Sequence, residues 1–268
     1  RVIRPRLADA NFFWTQDKKQ PLEPHLEQLK SVVFQNKLGT VYDKTQRVAK
    51  LAAEIAAQLG ADSADAERAA LLAKCDLMTE MVNEFPDLQG IMGRYYALHD
   101  KEKELVALAL DEQYMPRFAG DKTPATAIGQ ALSIAERLDT LMGIFAIGQI
   151  PSGDKDPFAL RRAALGCQRT IIENQLELDV PSLLKQAARQ LPQELNAQQA
   201  VDSVYLFMMD RLKSYFSDQS IAVDVFEAVN ALLPAKPYDF ARRVEAVNRF
   251  KVLDAAESLA AANKRISN

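Results

Sequence analysis

The chain has 268 residues, 48% of them apolar, and a formal net charge of -3, enough for one large or two ordinary globular domains with a buried core. The acidic balance excludes a protein that holds nucleic acid over its whole surface, so any phosphate contact has to be a local basic patch. The two cysteines, Cys75 and Cys167, have no C-x-x-C spacing, and apolar runs such as "YLFMM" at Tyr205 to Met209 are far shorter than the roughly 20 residues of a membrane span, which excludes a disulfide framework, a thiolate zinc site and a membrane-crossing helix.

Both cysteines are expected to be buried small apolar residues, and the expected location is cytoplasmic. The chain starts without methionine at "RVIRPRLADANFFW" and stops at "AANKRISN", which reads as a fragment of a longer protein. Pro5, among β-branched and aromatic residues, makes the opening stretch read as an extended segment rather than a helix. His25, beside Pro24, reads as a surface or capping residue. From Leu22 onward helical periodicity takes over. Val48, Leu51, Ala52, Ile55 and Leu59 fall on one face of a helix that Gly60 closes. Asp62 or Ser63 caps the next, predicted to run through "ADSADAERAALLAKCDLMTEMV" and to form a hairpin with the first.

Pro86 and Gly90 mark a connection, and Asp100 of the dipeptide His99-Asp100 reads as the N-cap of the charged helix that follows. In "TAIGQALSIAERLDTLMGIFAIG" the residues Ala127, Ala131, Ile134, Leu138, Leu141 and Phe145 form a buried stripe. Asp156 and Pro157 are expected at the N-cap and first position of a further helix, with a domain boundary just before it. More helices continue to about Leu233, and "PAKPYD" leads into a last one from Phe240. The fold class is mostly all-α.

Three stretches carry candidate chemistry. Ala69 to Met81, "AALLAKCDLMTEM", resembles the run that delivers a His-Asp pair to metal in phosphohydrolases of the HD superfamily. Cys75 stands where the His would be, Lys44 fills the first-helix His position, and carboxylates remain at Asp76, Glu136 and Asp139. That resemblance implies a degenerate HD site of Lys44, Cys75, Asp76 and Glu136 that holds no metal. Lys44 shares a face with Val48, Leu51 and Ile55, so its ammonium is expected to point inward and pair with Asp76, with Lys74 or Arg47 close by. The second stretch, "PSGDKDPFALRRAALGCQR", brings Lys155, Arg161, Arg162 and Arg169 to the start of a helix, a reasonable phosphate contact, with Gly166 expected to admit a polynucleotide backbone. The third is the loop "EQYMPRFAGDKTPA", with Arg117 and Lys122. No Walker loop, nucleophile elbow or H-E-x-x-H helix occurs.

The blocks "FQNKLGTVYDKTQRVAKLA", "LLAKCDLMTEMVNEFPDLQGIMGRYYA", "EQYMPRFAGD", "DTLMGIFAIGQ" and "GDKDPFALRRAALG", in this order, resemble the beta-subunit family of bacterial glycyl-tRNA synthetases over nearly the whole chain. The resemblance implies the tail of an upstream module at 1-13, an HD-like helical domain at 14-150, a helical linker domain at 151-235 and the start of an anticodon-binding domain at 236-268. It further implies a tRNA-binding and assembly role for a non-catalytic fragment with no cofactor of its own. The partners would be glycine tRNA and an alpha subunit that uses ATP and Mg, in an alpha2beta2 tetramer, away from any membrane. The rival readings are a metal-dependent HD-type phosphohydrolase and a helical protein-protein adaptor.

Overall fold

In the computed structural model, residues 3–253 are described, with side chains from Asp9 onward. The part of the expected anticodon-binding segment at 254–268 lies outside the described residues, as do residues 1 and 2. The described residues are mostly helical, as the periodicity predicts, with one two-stranded antiparallel ribbon among them, β1 (Val33–Gln35) and β2 (Gly39–Thr40).

Helix α1 (Ile3–Asp17) occupies the stretch expected to be extended. Pro5 falls in its first turn, where a backbone N–H has no intrahelical partner to lose, so the proline costs the helix nothing. Tertiary contacts then fix its far end. Trp14 stacks on Tyr96 at 5.2 Å between ring centroids, and the Asp17 carboxylate accepts hydrogen bonds from the Tyr96 hydroxyl and from the Glu80 and Met81 amides. The short α2 (His25–Gln28) follows, with His25 buried rather than on the surface and its Nδ1 3.2 Å from Gln28 Oε1.

Helix α3 (Val41–Gln58) begins at a capping box between Thr40 and Asp43 and ends at Leu59, followed by Gly60 at φ 71°; both ends follow from residue type. Asp62 caps α4 (Ser63–Leu72), which packs along α3 as the predicted hairpin. The second helix stops earlier than its composition suggests. Cys75–Met78 form a 3-10 turn, and Thr79 caps a separate short α5 (Glu80–Glu84).

Next come α6 (Ile91–His99) and α7 (Glu104–Glu112). Asp100 closes α6 instead of opening α7, and its carboxylate accepts the Leu22 amide at 2.7 Å. Helix α8 (Ala127–Ala146) is capped by Thr126 and buried on nearly every side. Around it pack α3, α4, α7 and three later helices, α9 (Leu160–Glu173), α10 (Val180–Gln190) and α11 (Val201–Asp218). Helix α9 starts three residues after the expected position. Ala159, in the left-handed conformation, precedes it, and Asp156 reaches forward to accept the Leu160 and Arg161 amides. Helices α12 (Val223–Asn230) and α13 (Pro237–Lys251) are the last of the described elements, with Phe216, Phe226 and Phe240 clustered between them and α11. No helix of the described residues is long and apolar enough to cross a membrane.

Candidate nucleic-acid interface

The inner polar cluster starts from Lys44. Its ammonium points inward as its helix face requires, but it does not meet Asp76. It lies 3.0 Å from Asp139 Oδ2 and 3.5 Å from Glu136 Oε1, and donates to Thr140 Oγ1 at 2.8 Å. Arg47 completes the pair, with Nε 2.7 Å from Asp139 Oδ1 and Nη2 3.2 Å from Oδ2. All three residues are buried. Burial alone would raise the Asp139 carboxyl, but Lys44 and Arg47 hold it below the ordinary carboxylate range. The partner differs because α3 lies along α8, which carries Asp139, whereas the turn bearing Asp76 faces another helix.

Asp76 is fully buried and held by backbone amides. Its Oδ2 accepts from Gly90 at 2.6 Å and from Gly93 at 3.1 Å, at the start of α6. It thus caps a helix distant in sequence, where free N–H groups and the positive dipole end favour a carboxylate. This anchor accounts for the end of α4 before Asp76: the chain must turn to aim the carboxylate at α6. Burial pushes Asp76 up to about 6, against the Gly90 amide and the charge of Lys74, which pull it down. Cys75 beside it is buried, with Sγ 3.4 Å from Leu71 O and a thiol that burial pushes up to about 12; Cys167 is buried likewise. Among the described residues, no three His, Cys, Asp or Glu side chains converge as a metal site.

A raised folded-state pKa in an acid fixes the sign of a pH effect. Between about pH 4 and 6 the folded protein holds a proton on Asp76 that the unfolded chain has released, so this residue's contribution is present below pH 4 and lost as pH rises through about 6. Asp76→Asn should remove that component. The stability difference, mutant minus wild type, is expected to rise across this window and then level off, measured by urea denaturation at a series of pH values. A difference that is flat with pH would refute the assignment.

The second and third stretches flagged in the sequence come together in space. The loop 113–126 lies against α9: Arg169 donates to Asp121 O at 2.7 Å, and Asn174 Nδ2 to Thr123 Oγ1 at 3.1 Å. Arg137 of α8 joins them from beneath. Its guanidinium donates to the carbonyls of Gln113 at 3.0 Å and Met115 at 2.9 Å, and a Cβ on Gly166 would lie 2.8 Å from its Nε. Gly166 is therefore small to admit a buried arginine, and not, as its helix position suggests, to admit a polynucleotide.

On the outside of this junction the basic residues divide. Arg162, Lys122 and Lys155 are exposed. Arg117 is tied to Asp111 at 2.7 Å, Arg169 to Glu173 at 2.7 Å, and Arg161 to the carbonyl of Gly153. Phe118, between Arg117 and Lys122 in the sequence, is 66% exposed. Sequence reasoning missed Phe118, Arg137 and the Arg47–Asp139 pair. A signal existed for the last two, because a helix apolar on every side that still carries Glu136, Arg137 and Asp139 has to bury charges.

A family model for the glycyl-tRNA synthetase beta subunit matches residues 1–231. The chain belongs to that family. It is 56% identical over its whole length to the glycine-tRNA ligase beta subunits of Mannheimia succiniciproducens and Actinobacillus succinogenes, and 55% identical to that of Haemophilus influenzae strain Rd. In each case the match covers 100% of this chain and 39% of the relative, so the chain spans about two fifths of the length of these curated relatives. The agreement includes the segments that build the junction just described, since the loop 113–126 and α9 both lie inside the matched residues.

Proposed function

We propose that this chain is a tRNA-binding and assembly part of a glycyl-tRNA synthetase beta subunit. It supports ATP-dependent glycylation of tRNA, and the catalytic centre, with ATP and Mg, sits in the alpha subunit. The partners are that alpha subunit, in an alpha2beta2 tetramer, and glycine tRNA, in the cytoplasm. Family membership supports the role in the ligase. The observation that carries the RNA-binding reading is the junction itself: the loop with Arg117, Phe118 and Lys122 packs beside the helix with Arg161 and Arg162. Exposed cations there can meet phosphates while an exposed aromatic ring offers a surface for an unstacked base.

The test is titration of glycine tRNA at several salt concentrations, with an unrelated tRNA alongside. Reversing Arg161 and Arg162 to Glu is expected to weaken binding and reduce the slope of log K against log salt by about 0.7 to 0.9 for each phosphate no longer neutralised. Reversing Arg117 and Lys122 should act in the same direction. Unchanged affinity and slope in all four variants would remove this face from the tRNA interface. Turnover of a phosphoester on addition of divalent metal would favour the hydrolase reading, and the absence of salt-sensitive tRNA binding would favour the protein adaptor.

A further inference from the structure

Beside the basic junction, a cleft of about 660 Å³ opens between the loop after α7, α8 and the start of α9, a volume in the range of small-molecule sites. Its lining is cationic on balance, with Lys74, Arg117, Arg137 and Arg162 against Asp87 and Glu136. Burial would lower the Lys74 ammonium, yet Glu136 and the Tyr114 hydroxyl outweigh that and keep it charged above the usual lysine range. Lys74 donates to Tyr114 Oη at 3.2 Å and lies 3.5 Å from Glu136 Oε1, an oxygen that Lys44 also approaches at 3.5 Å. Arg162, by contrast, has no hydrogen-bond or ion-pair partner among the described residues.

Gln113 supplies an independent observation. It is 2% exposed and lines the cleft, and both donors of its amide nitrogen are spent on the carbonyls of Ala73 and Leu110, at 2.7 and 3.0 Å. Those bonds fix which end of the amide is oxygen, and that oxygen, Oε1, has no hydrogen-bond partner among the described residues. A buried acceptor of this kind calls for a donor. Phe158, half-buried on the same wall, adds a flat apolar surface.

We propose that this cleft binds a nucleotide. Its phosphate is held by Arg162 and Lys74, its base lies against Phe158, and a shift of the wall on binding opens Gln113 Oε1, closed to solvent in the unbound cleft, to an N–H or O–H of the ligand. An anion alone would leave Gln113 and Phe158 without a role, and an uncharged ligand would leave Arg162 without one. The nucleotide has two sources, a free mononucleotide or one residue of an RNA strand, and in the second case the inference deepens the tRNA-binding reading and rests on it.

The test is calorimetric titration of the intact chain with adenosine monophosphate, adenosine, inorganic phosphate and a short single-stranded RNA, repeated with Arg162→Glu and Phe158→Ala. Saturable binding of the mononucleotide, tighter than phosphate or adenosine and about tenfold weaker in Arg162→Glu, is the expected result for a free nucleotide. Binding of the short RNA alone, with the same losses in both variants, is the expected result for an RNA residue. Equal affinity for phosphate and mononucleotide would overturn the proposal in favour of a bare anion site. No binding of either nucleotide form, or binding indifferent to both variants, would also overturn it. Because Arg162 belongs to the tRNA face as well, Phe158→Ala separates the two readings. Salt-sensitive tRNA affinity retained by a chain that binds neither nucleotide form removes the cleft proposal alone, whereas nucleotide binding without tRNA affinity removes the tRNA reading alone.

Discussion

Asp139→Ala is expected to cost the fold about 3 to 5 kcal/mol, the penalty for stranding a buried charge, and here two are stranded. Lys44 and Arg47 converge on the one carboxylate from successive turns of α3, at 3.0 and 2.7 Å, all within the protein interior. Without it, two cations face each other with only the half-buried Glu136 near Lys44. Lys44→Met should be milder, because Arg47 still balances Asp139. The double replacement Lys44→Met with Asp139→Asn should recover part of the loss, since one cation is then removed together with the charge it served. Urea denaturation of the three variants checks this; a loss below about 1 kcal/mol for Asp139→Ala, the value of an exposed pair, would show that the cluster is not holding α3 to α8.

The second large effect is expected at Arg137. Among the described residues its guanidinium has no carboxylate partner; besides Gln113 and Met115 it donates to the carbonyls of Ser133, Tyr114 and Pro116, and to the Ser133 hydroxyl. Burial holds its pKa below the usual arginine range. Arg137→Met should destabilise by about 3 kcal/mol or more, because each carbonyl left buried without a donor costs about 1 to 3 kcal/mol. Arg137→Lys should not rescue it, since a single ammonium cannot span donors spread over a planar fork. Gly166→Ala should act by the same route with a smaller loss of about 1 to 3 kcal/mol, because the added methyl would sit 2.8 Å from Arg137 Nε. If the tRNA reading holds, Arg137→Met also weakens tRNA binding at temperatures where the protein remains folded, because the loop carrying Arg117 and Lys122 loses its anchor. Wild-type stability in Arg137→Met would refute the structural role, and wild-type tRNA affinity would detach the loop from the interface.

The amino-acid sequence by itself determined the helical class, the α3–α4 hairpin with its Asp62 cap and Gly60 stop, the long buried α8, and the inward direction of Lys44. These are local matters. A 3.6-residue periodicity, a capping side chain within three residues and a glycine free to adopt positive φ act over one or two turns, so they can be read from the order of residues alone. Resemblance in several ordered blocks also gave the family, because it draws on whole stretches rather than on contacts. Only the tertiary structure decided which charges meet. Asp76 and Asp139 are both carboxylates that an inward-facing lysine could serve as far as residue order tells. The packing of α3 on α8 gave Lys44 to Asp139, while the turn after α4 gave Asp76 to the amides of Gly90 and Gly93, fourteen and seventeen residues away. Pro5 was a poor guide for a related reason, since its effect depends on where the helix around it begins. Gly166 could not be read either, because what fills the space beside a missing Cβ is set by a side chain 29 positions earlier in the chain, Arg137, and that neighbour exists only once α9 has packed on α8.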